Sequence, residues 1–161
     1  TWHKDKILYV TKIINENNNV NTILNWEKFI RLDGSIIELR HGKNFKNTNL
    51  SSELYKGNFF STSALVLKKD IIIRNNYFDI KLKNAQDYEM WLKMSQDINL
   101  YIIKKFLGNY IEEKTSITMR PFRKRFFNEV LIAFRYKKYV PYSIFIKKIF
   151  QIMLSRRWIS Q

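Results

Sequence analysis

Apolar side chains recur at Ile7, Val10, Ile13 and Ile14 with Lys and Asp between them. That is the spacing of one helix face, and it predicts a helix over 3–16 followed by an Asn-rich polar break at 15–19. From Val20 the pattern loosens: Ile23, Trp26 and Phe29 sit among polar residues up to Arg31, and a second apolar run, Ile36-Ile37-Glu38-Leu39, follows Asp33-Gly34. Two strand-like stretches around Asp-Gly predict a hairpin. Residues 41–56, rich in Asn, Ser and Lys and without period, read as a long surface loop. The run Phe-Phe-Ser-Thr-Ser-Ala-Leu-Val-Leu over 59–67 is the clearest central strand, and 69–75 fits a short helix.

Asn84 suits the N-cap of a helix running to about Gln96, because Asp87 and Glu89 fall in its first turns, where the helix dipole favours acids. Residues 98–103 and 106–111 predict either a second hairpin around Lys104 and Lys105 or one bent strand, with a connector at 115–119. Helices over about 122–139 and 141–157 finish the chain, Pro141 sitting well in the first turn of the second. The order is mixed α/β without the clean alternation of a complete doubly wound sheet. A sheet built from these strands alone leaves edges for a preceding segment to cover.

Composition sharpens this picture. A chain of 161 residues, 45% apolar and 16% aromatic, with four Gly and two Pro, has material for one packed core and is not disordered. It has no cysteine, which removes disulfides, thiol nucleophiles and thiolate metal sites and fits a reducing cytoplasm. The net charge of +15 is unevenly placed: from Lys114 onward there are twelve Lys and Arg against one acid, Glu129, a net of +11. Such a segment favours an anionic partner. The first residues carry no apolar leader, the chain opens in mid-pattern as if continuing a longer protein, and no run of 18 uncharged apolar residues suggests a membrane span.

Three stretches carry a resemblance. Trp2 followed by Lys6-Ile7 is similar to the segment after the acidic metal-binding cluster of family 2 (GT-A type) glycosyltransferases, where an aromatic residue precedes a Lys-Leu or Lys-Ile pair. Phe60-Ser61-Thr62-Ser63-Ala64-Leu65-Val66-Leu67 resembles the hydroxyl-rich strand lining the acceptor side of that family's site. Tyr77-Phe78-Asp79 and then Asn84-Ala85-Gln86-Asp87-Tyr88-Glu89-Met90-Trp91 resemble its Phe-Asp followed by an acidic-Asp pair and Trp, with Gln86 where the family often has an acid. Together they cover roughly 1–118. The resemblance implies a partial GT-A-like mixed α/β sheet, the acceptor-binding half, with Asp87 as catalytic base and Ser61, Thr62, Ser63, Gln86 and Trp91 as substrate-binding residues. It further implies a nucleotide-sugar donor, a glycan or lipid-linked acceptor, and a divalent Mg or Mn ion whose ligands lie mostly upstream of Thr1. The isolated chain is then expected to be inactive, and the intact enzyme to be cytoplasmic or peripheral at the inner membrane face.

The chemistry agrees with the spacing. An inverting sugar transfer needs a carboxylate to take the proton of the attacking hydroxyl, and an acid at a helix start is held rigid by backbone N–H groups. Taken alone, such an acid is most often a dipole or capping residue, and Trp91 and Trp26 are more often core than sugar platforms. His3 and His41 read as surface residues, with a metal or phosphate contact at His41 the lesser alternative. The segment 119–161 forms a separate basic extension. Arg120, Arg123, Lys124 and Arg125 precede an apolar run. In the last helix Phe145, Ile149, Ile152 and Met153 make one apolar face beside Lys147, Lys148, Gln151 and Ser155, and Arg156, Arg157 and Trp158 follow. That composition suits an anionic membrane surface, or equally a helix–helix contact under a basic solvent face. A basic nucleic-acid-binding module and a non-catalytic glycan-binding domain are the competing classes; no RNP-like, helix-turn-helix or zinc signature supports the former.

Overall fold

A computed structural model of the chain describes residues 1–46, 49–112 and 122–154. The expected connector at 115–119, the side chains of the basic cluster at 120–125, and Ser155, Arg156, Arg157 and Trp158 lie outside the described residues.

The fold is mixed α/β, built on a four-stranded sheet. Strand β1 (Thr22–Ile30) is central. One of its edges pairs antiparallel with β2 (Ile36–Leu39) and, further back, with β3 (Leu65–Leu67). The other pairs in parallel with β4 (Leu100–Ile111) along its whole length. Side chains alternate across β1: Ile23 enters a cluster with Val10, Val20, Ile103 and Leu107 on one face, while Leu24 enters the main core on the other. Helices therefore cover both faces.

The Asp-Gly hairpin forms as expected. Asp33 Oδ1 accepts from Ser35 N at 2.8 Å, and Gly34 takes the left-handed turn at φ 83°. Helix α1 (Lys6–Glu16) also forms where the period puts it, but only Val10 of its expected stripe is buried. Lys6 turns inward in place of Ile7 because its Nζ donates to Ser63 O at 2.7 Å and lies 4.4 Å from the Trp2 ring centre.

Three local expectations need correction, and one open alternative is decided. Within the supposed loop 41–56, Asn49 accepts from Ser52 N and starts helix α2 (Leu50–Lys56), whose Leu50, Leu54 and Tyr55 are buried. The supposed strand 59–67 shrinks to β3, since Ala64 N donates back to Ser61 O at 3.0 Å and closes a turn. Of the two alternatives for 98–111, a hairpin around Lys104 and Lys105 or one bent strand, the structure has the bent strand. The chain keeps its direction, and the register against β1 jumps from Asn25↔Ile103 to Trp26↔Phe106, a bulge within one long bent strand. Asn84 does not cap helix α4 (Gln86–Met94); its carbonyl and side-chain oxygens accept from Asn128 Nδ2, and Ala85 holds the N-cap position.

Helix α3 (Lys69–Arg74) matches its sequence signal. Helix α5 (Phe122–Arg135), a 3₁₀ turn at Lys137–Tyr139 and helix α6 (Tyr142–Leu154) complete the fold. The division expected after residue 118 falls outside the described residues, and beyond it Ile132, Ala133, Tyr136, Phe145 and Ile152 share one core with Leu54, Tyr55, Met90 and Trp91. Tyr55 donates its hydroxyl to Ala133 O at 2.8 Å inside that core.

Gly42 gives a test of the backbone. It sits at φ 64°, and a Cβ there would lie 2.7 Å from Ile102 Cδ1 and 3.1 Å from Phe59 Cε2. Gly42→Ala should cost about 1–3 kcal/mol in urea unfolding, whereas Gly57→Ala, where an added Cβ meets open space, should change stability by less than about 0.5 kcal/mol. Equal effects of the two changes would contradict the backbone described.

Candidate functional site

A cleft of about 810 Å³ opens at the N-terminus of α4. Gln86, Asp87 and Tyr88 of the first turn form its base, Phe78, Asp79 and Ile80 one side, and Asn58 and Thr62 another. Glu129 from α5 and Lys148 from α6 close it. The C-terminal helices thus supply part of the wall.

Asp87 is half-buried, and its Oδ1 accepts from Tyr88 N at 2.8 Å. Among the described residues no cation forms an ion pair with it. Asp79 differs: Arg135 Nη1 donates to its Oδ2 at 2.9 Å and Lys81 N to its Oδ1 at 3.0 Å, which holds its carboxyl below the usual carboxylate range. Burial lowers the pKa of Lys148, partly offset by the charge of Glu129, and its ammonium sits 5.4 Å from the Tyr88 ring centre. Burial likewise raises the Tyr88 phenol, so both groups are partly stripped of water. The turn into α4 is strained: Ala85 adopts φ 57° without being glycine, at a cost of about 1–2 kcal/mol. Such outliers cluster where a site over-determines the backbone.

The residues expected at the substrate separate into three groups. Asp87, Gln86 and Thr62 line the cleft, with Gln86 Nε2 fixed on Leu82 O at 2.6 Å. Trp91 lies in the core at 2% exposure, edge-on to Phe60 and Phe78. Ser61 and Ser63 turn away from the cleft, donating to Glu27 at 2.7 and 2.6 Å.

Glu27 is the centre that the sequence did not announce. Its side chain on β1 is 0% exposed and accepts from Ser61 and Ser63, while His41 Nε2 lies 3.2 Å from its Oε2. Burial pushes its pKa up, but the hydrogen bonds from His41, Ser63 and Ser61 outweigh that and leave it below the usual carboxylate range. Burial lowers Lys6, and the Glu27 charge pulls it partly back. Ser63 O in turn accepts from Trp2 Nε1 at 2.9 Å. His41, read as a surface residue, is thus mostly covered. These partners are far apart in sequence, so only the Ser-x-Ser spacing hinted at a shared acceptor.

Among the described residues no group of three or more His, Asp or Glu side chains is placed to hold a metal ion.

No family model matches the chain. Over 100 residues it is 25% identical to a protein of Methanocaldococcus jannaschii described as an uncharacterized glycosyltransferase. The relationship is to a glycosyltransferase, distant and partial. The aligned stretch is 62% of this chain and 34% of that relative, so the chain spans about a third of the relative's length.

The Glu27 cluster makes a pH prediction. Its folded pKa is below the unfolded value, so its contribution is fully present above about pH 4.3 and is lost as pH falls through the depressed folded value. Glu27→Gln places an amide NH2 among donors and should lower unfolding free energy at neutral pH by about 2–4 kcal/mol, flattening the stability curve in acid. An unchanged urea midpoint together with an unchanged acid limb would remove Glu27 from this role.

Proposed function

We propose that this chain is the acceptor-binding half of a GT-A-type glycosyltransferase of family 2 and that Asp87 is its general base. The observation that carries the reading is Asp87 itself: a half-buried carboxylate in a cleft, fixed by one backbone N–H and paired with no cation among the described residues. Of the two other acids lining the cleft, Asp79 is tied up by Arg135 and is a poor base, and the charge of Glu129 acts on the neighbouring Lys148. The distant relative named as a glycosyltransferase gives the reaction class its support.

In this reading an acceptor sugar or lipid-linked glycan enters the cleft with a hydroxyl against Asp87. The hydroxyl oxygen attacks the anomeric carbon of a nucleotide-sugar, its proton passes to the Asp87 carboxylate, and the bond to the nucleoside diphosphate breaks with inversion. Thr62, Gln86 and Asn58 offer hydrogen bonds to acceptor hydroxyls, and Phe78 an apolar flank. Fixing Asp87 at the helix start supplies the orientation on which the step depends. The donor, and any divalent ion beside its diphosphate, would be held by groups other than those described.

The test uses the full-length protein. Asp87→Asn should keep the fold and hold the donor KM within about threefold, while kcat drops by roughly two to four orders of magnitude. A glycan-binding domain without catalysis, or a nucleic-acid-binding module, has no turnover for the change to remove. A kcat within about threefold of wild type would leave Asp87 a capping residue only.

A further inference from the structure

The two C-terminal helices are apolar on both sides. On α5, Ile132, Ala133 and Tyr136 enter the core, yet Phe127, Leu131 and Phe134, at i, i+4 and i+7, form a second stripe that faces outward, with Phe127 74% exposed. On α6, Phe145 and Ile152 are buried, while Tyr142, Phe150 and Met153 face out, Phe150 at 57% exposure. This moves the candidate membrane face. Phe145 and Ile152, which the helical period left equally to lipid or to a helix–helix contact, are taken by the core, and Ile149 is packed against it. The two outer stripes meet at Phe145, whose ring is 5.0 Å from Phe134 and 5.8 Å from Tyr142.

A helix apolar all round is normally covered on both sides. We infer that this outer surface of α5 and α6 lies on an anionic lipid membrane, in the plane of the interface. Charge decides the partner. The exposed charged side chains described on this surface, Lys137, Lys138 and Lys147, are all cationic, so a second copy would set like charge against like. Lys137, Lys138 and Lys147 are exposed beside the apolar stripes, where their ammonium groups would reach headgroups while their stems lie along apolar surface. No described helix is long and apolar enough to cross a membrane, so the contact is peripheral. This inference does not rest on sugar transfer.

Purified full-length protein should co-sediment with phosphatidylcholine vesicles containing about 30% phosphatidylglycerol at least about tenfold more than with phosphatidylcholine alone, and lose most of that binding between about 50 and about 500 mM salt. Phe127→Ser with Phe150→Ser should lower the partition coefficient about tenfold with unchanged circular dichroism, because both rings leave water only at the membrane. If that pair unfolds, Phe127→Ser alone and Lys147→Gln should each still reduce binding. No vesicle binding, no preference for anionic lipid, or full binding by the folded double variant overturns the inference. So does a dimer in sedimentation velocity that the double variant dissociates, or binding to polyglutamate in the absence of vesicle binding.

Discussion

Glu89 sits on α4 with none of its surface exposed, and a carboxylate so completely removed from water has to be answered by donors. Its Oε1 accepts from Arg135 Nη1 at 2.9 Å and from Tyr136 Oη at 2.5 Å, both at the end of α5. Lys93 Nζ lies 3.3 Å from Oε2, as an ion pair rather than an aligned hydrogen bond. Arg135 reaches on to Asp79, so one guanidinium joins the helix that carries Asp87 to the loop that forms the cleft's side. Removing one member of a buried pair of this kind costs about 3–5 kcal/mol, less here to the extent that Arg135 is itself partly exposed. The pose of α5 and α6 follows from this contact, and with it both the Glu129 and Lys148 wall and the direction of the outer apolar stripes.

A second buried carboxylate organises the opposite side of the sheet. Glu27 gathers Ser61, Ser63 and His41, and the backbone of Ser63 gathers Trp2 and Lys6. With Ser61 and Ser63 bonded to Glu27, the residue between them, Thr62, is left at the cleft. The hydroxyl-rich run thus faces two ways, Ser61 and Ser63 inward to Glu27 and Thr62 outward to the cleft. Gly108 completes the packing, since a Cβ at that position would come 3.0 Å from Glu27 Oε1.

The parts of this fold legible in the sequence are those with local causes. Asp33-Gly34 carries its turn in its own side chain and φ, and α1, α3, α5 and α6 follow from period and flanking residues. The misread or undecided parts have distant causes. Around Lys104-Lys105 the sequence left hairpin and bent strand open, and only the pairing of β1 on both sides decides for the strand. Asn84 has the right chemistry for a cap, but Asn128, 44 residues away, binds it instead. Glu27 and His41 look like a strand's polar position and a loop histidine, and nothing local brings them together. Of the residues lining the cleft, Thr62, Gln86 and Asp87 were singled out by the family resemblance, while Glu129 and Lys148 were not, because only the packing of the last helices brings them there.

The same limit explains why the period of α6 left its Phe145–Ile152 face equally to lipid or to a helix–helix contact. Apolar residues recur nearly all round this helix, and periodicity alone does not say which side meets the core. Burial of Phe145 and Ile152 fixes the rotation, and adjacent lysines then diverge: Lys148 turns inward over Tyr88 at the cleft, and Lys147 turns outward beside Phe150. One helix therefore has a side facing the Asp87 cleft and a side facing whatever covers its outer stripe. If that cover is lipid, the cleft stands about one helix diameter, roughly 10 Å, from the headgroups. On the proposed reading of Asp87 as general base, an acceptor anchored in that membrane would reach the carboxylate from the bilayer surface.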